Sequence, residues 1–190
     1  MKKNKESEFM LTLLKSPENE LNTTSISKLI GLSPMGALKI ARSLEKANLI
    51  SSRKIGNINI YKIEKNNNSN NYLAFLLSQE AEMSPPYLKA LMRDLQKINS
   101  AESAVIFGSI LRKTDANDLD VLFIVKQKNF KELKKEIDKL NSLNLKQIHA
   151  IFQGPGDLSK NINKKDKVVL NAIKGIVALG EREFIKEIQS

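Results

Sequence analysis

The chain has 190 residues, 41% hydrophobic and 27% charged, with thirty-one Lys and Arg against twenty-one Asp and Glu for a net charge of +10. That balance excludes a wholly disordered chain, and the length accommodates one large domain or two small ones, each able to bury a core. No run approaches the roughly 18 apolar residues of a membrane span, and Met1-Lys2-Lys3-Asn4-Lys5 leads into acidic residues instead of an apolar signal core, so a cytoplasmic protein with no membrane partner is expected. There are no cysteines and a single histidine, His149, which excludes disulfides, thiol catalysis and Cys- or His-rich metal sites. Any metal has to rest on carboxylates.

Positive charge is denser near the N-terminus. Residues 1–65 carry twelve basic against six acidic side chains, and the rest of the chain nineteen against fifteen. An excess of this kind suits a polyanion such as nucleic acid, although charged faces also serve solubility alone.

Phe9, Leu11, Leu13 and Leu14 mark a first helix. Ser25 is read as the cap of a second, with Ile26, Leu29 and Ile30 inward, and Gly31-Leu32-Ser33-Pro34 as the turn after it. Ser33 then caps a third helix whose apolar positions, Ala37, Leu38, Ile40, Ala41 and Leu44, leave Gly36, Lys39, Arg42, Ser43 and Lys46 on the outer side. Ile50–Ile55 and Ile58–Ile63 read as two strands joined by Gly56-Asn57, with Arg53, Lys54 and Lys62 on the hairpin. A helix, a tight glycine turn, a basic-faced helix and a hairpin resemble the winged helix-turn-helix family over residues of about 8 to 64. The resemblance implies double-stranded DNA as partner, with Lys39, Arg42, Ser43 and Lys46 in the major groove and Arg53 and Lys54 on phosphates. A winged helix used for protein contact is the alternative.

The polar run Lys65-Asn66-Asn67-Asn68-Ser69-Asn70-Asn71 is the best candidate linker, since it has almost nothing to bury. A helix on Leu73, Leu76, Leu77 and Ala81 follows, and Ser84-Pro85-Pro86 stops it and starts another. The expected organisation is therefore a domain over 1–65, a helical linker over 66–99 and a second domain over 100–190.

Ala104-Val105-Ile106-Phe107 is a short apolar strand that ends on Gly108-Ser109, with Ile110-Leu111-Arg112 as the first turn of a helix. Such a junction suits an anion: Gly108 lets backbone approach phosphate oxygens, Ser109 offers a hydroxyl, and free amides point at the ligand. Asp118-Leu119-Asp120 opens the apolar run Val121–Val125, and alternation along a strand puts both carboxylates on one face. Two like charges held together call for a cation, and hard oxygen ligands beside a phosphate site suit Mg²⁺.

These residues resemble the polymerase-β-like nucleotidyltransferase superfamily, and within it the minimal nucleotidyltransferases, whose pattern is Gly-Ser, an Arg three residues on, a loop, and Asp-x-Asp opening an apolar strand. Gly108, Ser109, Arg112, Asp118 and Asp120 match it one by one over about residues 100–190. The pairing of this domain with an N-terminal winged helix resembles an archaeal type. The resemblance implies an α+β chain: a winged helix followed by an α/β nucleotidyltransferase domain with a small mixed sheet flanked by helices, formed by Phe130–Leu140 as a helix, Leu145–Phe152 as a strand and Val168–Ile188 as the closing segments. It also implies Mg²⁺-dependent transfer of a nucleotidyl group, AMP from ATP or another NTP, to a protein or RNA acceptor. Gly108, Ser109 and Arg112 would bind the nucleotide, Asp118 and Asp120 the metal.

Three departures qualify that implication. Lys113 stands where a Gly commonly follows the Arg, and the loop to Asp118 is shorter than usual. His149 occupies the strand position of the family's third carboxylate. It is read either as the base for an incoming hydroxyl or as a polar filler in a site no longer catalytic. Asp157 is a further carboxylate on a loop, and Lys126 and Lys128 are candidate triphosphate contacts. Two alternative functions follow: a DNA-binding regulator whose degenerate second domain senses a nucleotide, and an antitoxin-type nucleotidyltransferase acting on a HEPN-type toxin.

Overall fold

Short polar side chains start the helices of the N-terminal region by satisfying amides that no helical carbonyl reaches. The computed structural model describes residues 4–112, 118–143 and 146–190. Asn4 caps α1 (Lys5–Lys15). Asn22, not Ser25, caps α2 (Thr23–Ile30), and Ser25 closes a capping box by binding back to the Asn22 amide at 2.9 Å. Gly31 ends α2 at a φ of 65°, and the Ser33 hydroxyl accepts the Gly36 N–H at 3.1 Å to start α3 (Pro34–Lys46). Phe9, Met10, Leu14, Ile26, Ala37, Ala41 and Leu44 form the core of these helices. Leu29, expected inward, is 63% exposed, because the buried stripe of α2 runs through Ile26, Ser27 and Ile30. Leu38 and Ile40 are half-buried.

Strands β1 (Ile50–Ile55) and β2 (Ile58–Ile63) form an antiparallel hairpin, with Ile55 opposite Ile58 across the turn. Asn22 bridges to Ile60, and the Tyr61 N–H donates to the Leu21 carbonyl at 2.9 Å, so the segment before α2 runs as a short extra rung along β2. The Tyr61 ring meets Phe9 edge-on at 6.0 Å.

The asparagine-rich run expected as a linker instead opens helix α4 (Asn67–Glu82). The Asn66 side chain accepts the Ser69 N–H at 2.8 Å, and the side-chain amides of Asn66 and Asn68 donate to the carbonyls of Asn48 and Ala47 just past α3. Those bonds give the polar run partners that its composition does not advertise. The chain accordingly divides into Met1–Leu76 and Leu77–Ser190, with the boundary inside α4 and not at residue 65.

The second unit is built on a mixed sheet of four strands in the order β5-β4-β3-β6. Strands β3 (Ser103–Phe107), β4 (Asp118–Ile124), β5 (Gln147–Gln153) and β6 (Ile176–Leu179) pair antiparallel at β3/β4 and β3/β6 and parallel at β4/β5. The parallel pair is joined by helix α6 (Phe130–Leu143), as a same-direction return requires. Alternation divides the core. Leu119, Val121 and Phe123 face α6 and α5 (Pro86–Leu95), where Leu88, Met92, Leu95, Leu133, Ile137 and Leu140 cover them. The segment expected as part of a linker therefore belongs to this unit, since α5 supplies a share of its core. On the other face, α8 (Lys167–Ala172) and α9 (Glu181–Gln189) pack on β3, and α7 (Asp157–Asn163) packs against both helices. The chain is thus α+β, with a small antiparallel sheet in one unit and a mixed sheet in the other. No helix among the described residues is long and apolar enough to cross a membrane.

Candidate functional site

Asp118 and Asp120 stand two residues apart on β4 and share a face. Parallel register sets Gln147 beside Asp118 and His149 beside Asp120. The His149 Nε2 lies 3.7 Å from Asp118 Oδ1, with the two side chains 61% and 51% exposed, so the imidazole pairs with this carboxylate whenever it is protonated. Leu119 and Ile148, the intervening positions, are buried in the core and fix which way the polar residues point.

The backbone at the end of β3 completes the group. Phe107 pairs with Asp120, which brings Gly108 against the carboxylate. Gly108 has φ 83° and ψ −153°, a conformation open only to glycine, and a Cβ there would sit 2.1 Å from Asp120 Oδ2. Glycine is thus needed twice over, for its dihedrals and for the space. The helix expected from Ile110 is a single 3₁₀ turn, Ser109–Leu111, closed by the Arg112 N–H donating to the Ser109 carbonyl at 2.9 Å. Ser109 and Arg112 are exposed at its two ends, while Ile110 is fully buried. Lys113 and the rest of 113–117 lie outside the described residues, as does Leu145.

Asp118, Asp120 and His149 are therefore brought to one end of the sheet, with Gly108 against Asp120. Other candidates are not. Asp157 follows the far end of β5, roughly 13 Å or more along the strand from His149, and pairs with Lys160 at 3.3 Å. It is too distant to supply a carboxylate here. Lys126 and Lys128 likewise follow the far end of β4, which removes them as contacts for a triphosphate at the aspartate end. Lys126 is bound to Glu102, and that hydrogen bond together with the carboxylate charge raises its pKa. Gln147, which was not singled out from the sequence, shares the site face, and the period of two along β5 was the signal for it.

Chemically, Asp118 and Asp120 offer two carboxylates on one strand face. Among the described residues no group of three His, Cys, Asp or Glu side chains is placed to hold a metal by itself. Such a donor set fits Mg²⁺, which commonly takes one or two carboxylates and completes its shell with water and phosphate oxygens.

In the first unit, Lys39, Arg42, Ser43 and Lys46 are all exposed on one side of α3, and Arg53 and Lys54 are exposed on β1. Arg53 is paired with Glu20 at 3.1 Å, both 65% exposed, and Glu45 accepts the Ser52 hydroxyl at 2.6 Å. Comparison with protein-family models, curated proteins and solved structures finds no match to this chain.

Proposed function

We propose that the second unit is a Mg²⁺-dependent nucleotidyltransferase that moves AMP from ATP to a hydroxyl acceptor on a protein or RNA, and that the first unit is a winged helix that binds duplex DNA. The observation that carries the first half is the register of β4 on β5, with Gly108 against Asp120: it gathers an aspartate pair, a histidine and a glycine turn at one sheet end. In the reaction the acceptor oxygen attacks the α-phosphorus, the bond to the β-phosphate oxygen breaks, and pyrophosphate leaves. Asp118 and Asp120 would hold Mg²⁺, which when bound supplies positive charge against the phosphates. The Gly108-Ser109 turn binds phosphate oxygens through backbone N–H groups and the Ser109 hydroxyl, and Arg112 adds a bidentate cation. His149 accepts the acceptor's proton, and the carboxylate of Asp118 at 3.7 Å stabilises the imidazolium that forms.

The DNA half is supported by the exposed row Lys39, Arg42, Ser43 and Lys46 on α3 and by Arg53 and Lys54 on the hairpin. A helix of about 10–12 Å diameter fits the major groove, so the helix row would read base edges and the hairpin pair would meet phosphates. One observation favours a second reading: with His149 where a third carboxylate would stand, the site could bind nucleotide without turnover and serve a DNA-binding regulator. Incubation of the full chain with α-³²P-ATP, Mg²⁺ and a cell lysate separates the two. Label on a protein or RNA supports transfer, and ATP binding without any labelled acceptor supports the sensor.

A further inference from the structure

The Gly108-Ser109 turn is poorly able to hold its own shape. A 3₁₀ turn of three residues has one internal bond, that from the Arg112 N–H to the Ser109 carbonyl, and fixing several dihedrals for one bond is unfavourable. Something outside the turn has to set it. Two contacts do so. The Ile110 side chain is fully buried in the core beneath the sheet, and the Ile110 carbonyl accepts the hydroxyl of Tyr87 at 3.1 Å.

Tyr87 lies in the first turn of α5, next to Pro86 at the helix start, and its half-buried ring packs against the same core. Helix α5 is in turn fixed to the sheet by Leu88, Met92 and Leu95, all buried, and by the Gln96 side-chain amide donating to the Ala178 carbonyl at 3.1 Å. A rigid helix thus reaches 23 residues along the chain to hold one carbonyl of the turn. We infer that Tyr87 is a positioning residue for the phosphate-binding turn: its hydroxyl clamps the Ile110 carbonyl and so sets where the Ser109 hydroxyl and the turn amides stand relative to Asp120. This rests on the nucleotide half of the proposed function and adds a residue that no motif contains. It also means that a fragment beginning at residue 100 lacks part of the site's support.

The test uses the full chain with Tyr87→Phe, which keeps the ring and removes only the donor, and Gln96→Met as a control that removes the other side-chain bond from α5 to the sheet. Amide hydrogen exchange without ligand reads the clamp directly. Tyr87→Phe should speed exchange at Arg112, whose N–H closes the turn, and Gln96→Met should not. Calorimetry with ATP and Mg²⁺ reads the consequence: Tyr87→Phe should weaken affinity about three- to ten-fold, the effect of one lost hydrogen bond, with Gln96→Met as wild type. Wild-type ATP affinity and exchange in Tyr87→Phe would overturn the inference, and so would an equal loss in both variants, which would mean only that α5 had loosened. No ATP binding by the wild-type chain would overturn the nucleotide reading, and the role of Tyr87 in it, whatever the exchange shows.

Discussion

The basic face of the first unit and the carboxylate end of the second are assembled by different physics. On α3, the row Lys39, Arg42, Ser43 and Lys46 is a consequence of helical period alone, and each side chain is exposed. At the sheet end, Asp120 depends on Gly108 having no Cβ, and His149 depends on the register between β4 and β5. A face made by period tolerates single changes, because each residue contributes a separate increment. A cluster made by register does not. Loss of one member removes a role that the others do not supply, and a slip of one residue along β5 would turn Gln147 and His149 away from the aspartates together.

That contrast can be broken most sharply at His149. His149→Ala should slow transfer of label from α-³²P-ATP on the order of 10² to 10⁴-fold with the fold unchanged, and an unaffected rate would move the base elsewhere, though not to Asp157 at the opposite sheet end. Next in size is the metal dependence. Asp118→Asn combined with Asp120→Asn should abolish the strengthening of ATP binding by Mg²⁺ in calorimetry, because two neutral amides neither repel each other nor attract the cation. Equal ATP affinity of the wild type with and without Mg²⁺ would remove the metal from the site.

Gly108→Ala tests the close approach itself. Its dihedrals alone should cost about 1–3 kcal/mol, and the clash with Asp120 adds to that, so both the denaturant midpoint and ATP binding should fall. A stable variant with normal ATP affinity would separate the glycine from the site. The basic face should respond in smaller and additive steps. Arg53→Ala and Lys54→Ala should each lower the log–log salt slope of DNA binding by about one unit, while Lys39→Ala or Arg42→Ala should also shift preference among duplexes, read by fluorescence anisotropy over a salt series. Salt-insensitive binding would assign the charge to solvation. The smallest effect belongs to Glu20, which holds Arg53 at 3.1 Å. Glu20→Gln should free that guanidinium and tighten DNA binding by less than about 1 kcal/mol, the usual worth of an exposed pair.

Some of this was legible from short-range pattern. The hairpin bounds, the cap at Ser33, and the strand over 104–107, which the structure extends by one residue to Ser103, follow from alternation, turn residues and capping chemistry, each decided within a few residues. The asparagine run shows where such reading stops. Asn66 and Asn68 look like loop residues until the carbonyls of Asn48 and Ala47 are near enough to accept from them, and then the same residues start a helix. Leu29 failed similarly, since a helix of eight residues carries too few apolar positions to define its inner side unaided.

The candidate site divides along the same line. The sequence by itself determined that Asp118 and Asp120 share a face and that a glycine and a serine follow an apolar strand, because both are properties of adjacent residues. Only the tertiary structure decided that His149 stands beside Asp120, that Asp157 and Lys126 belong to the opposite end, and that Tyr87 on α5 holds the turn at Ile110. Those relations join residues far apart in the chain. They are fixed by strand register and by burial of Leu119, Ile148 and Ile110 in one core, which no local periodicity encodes.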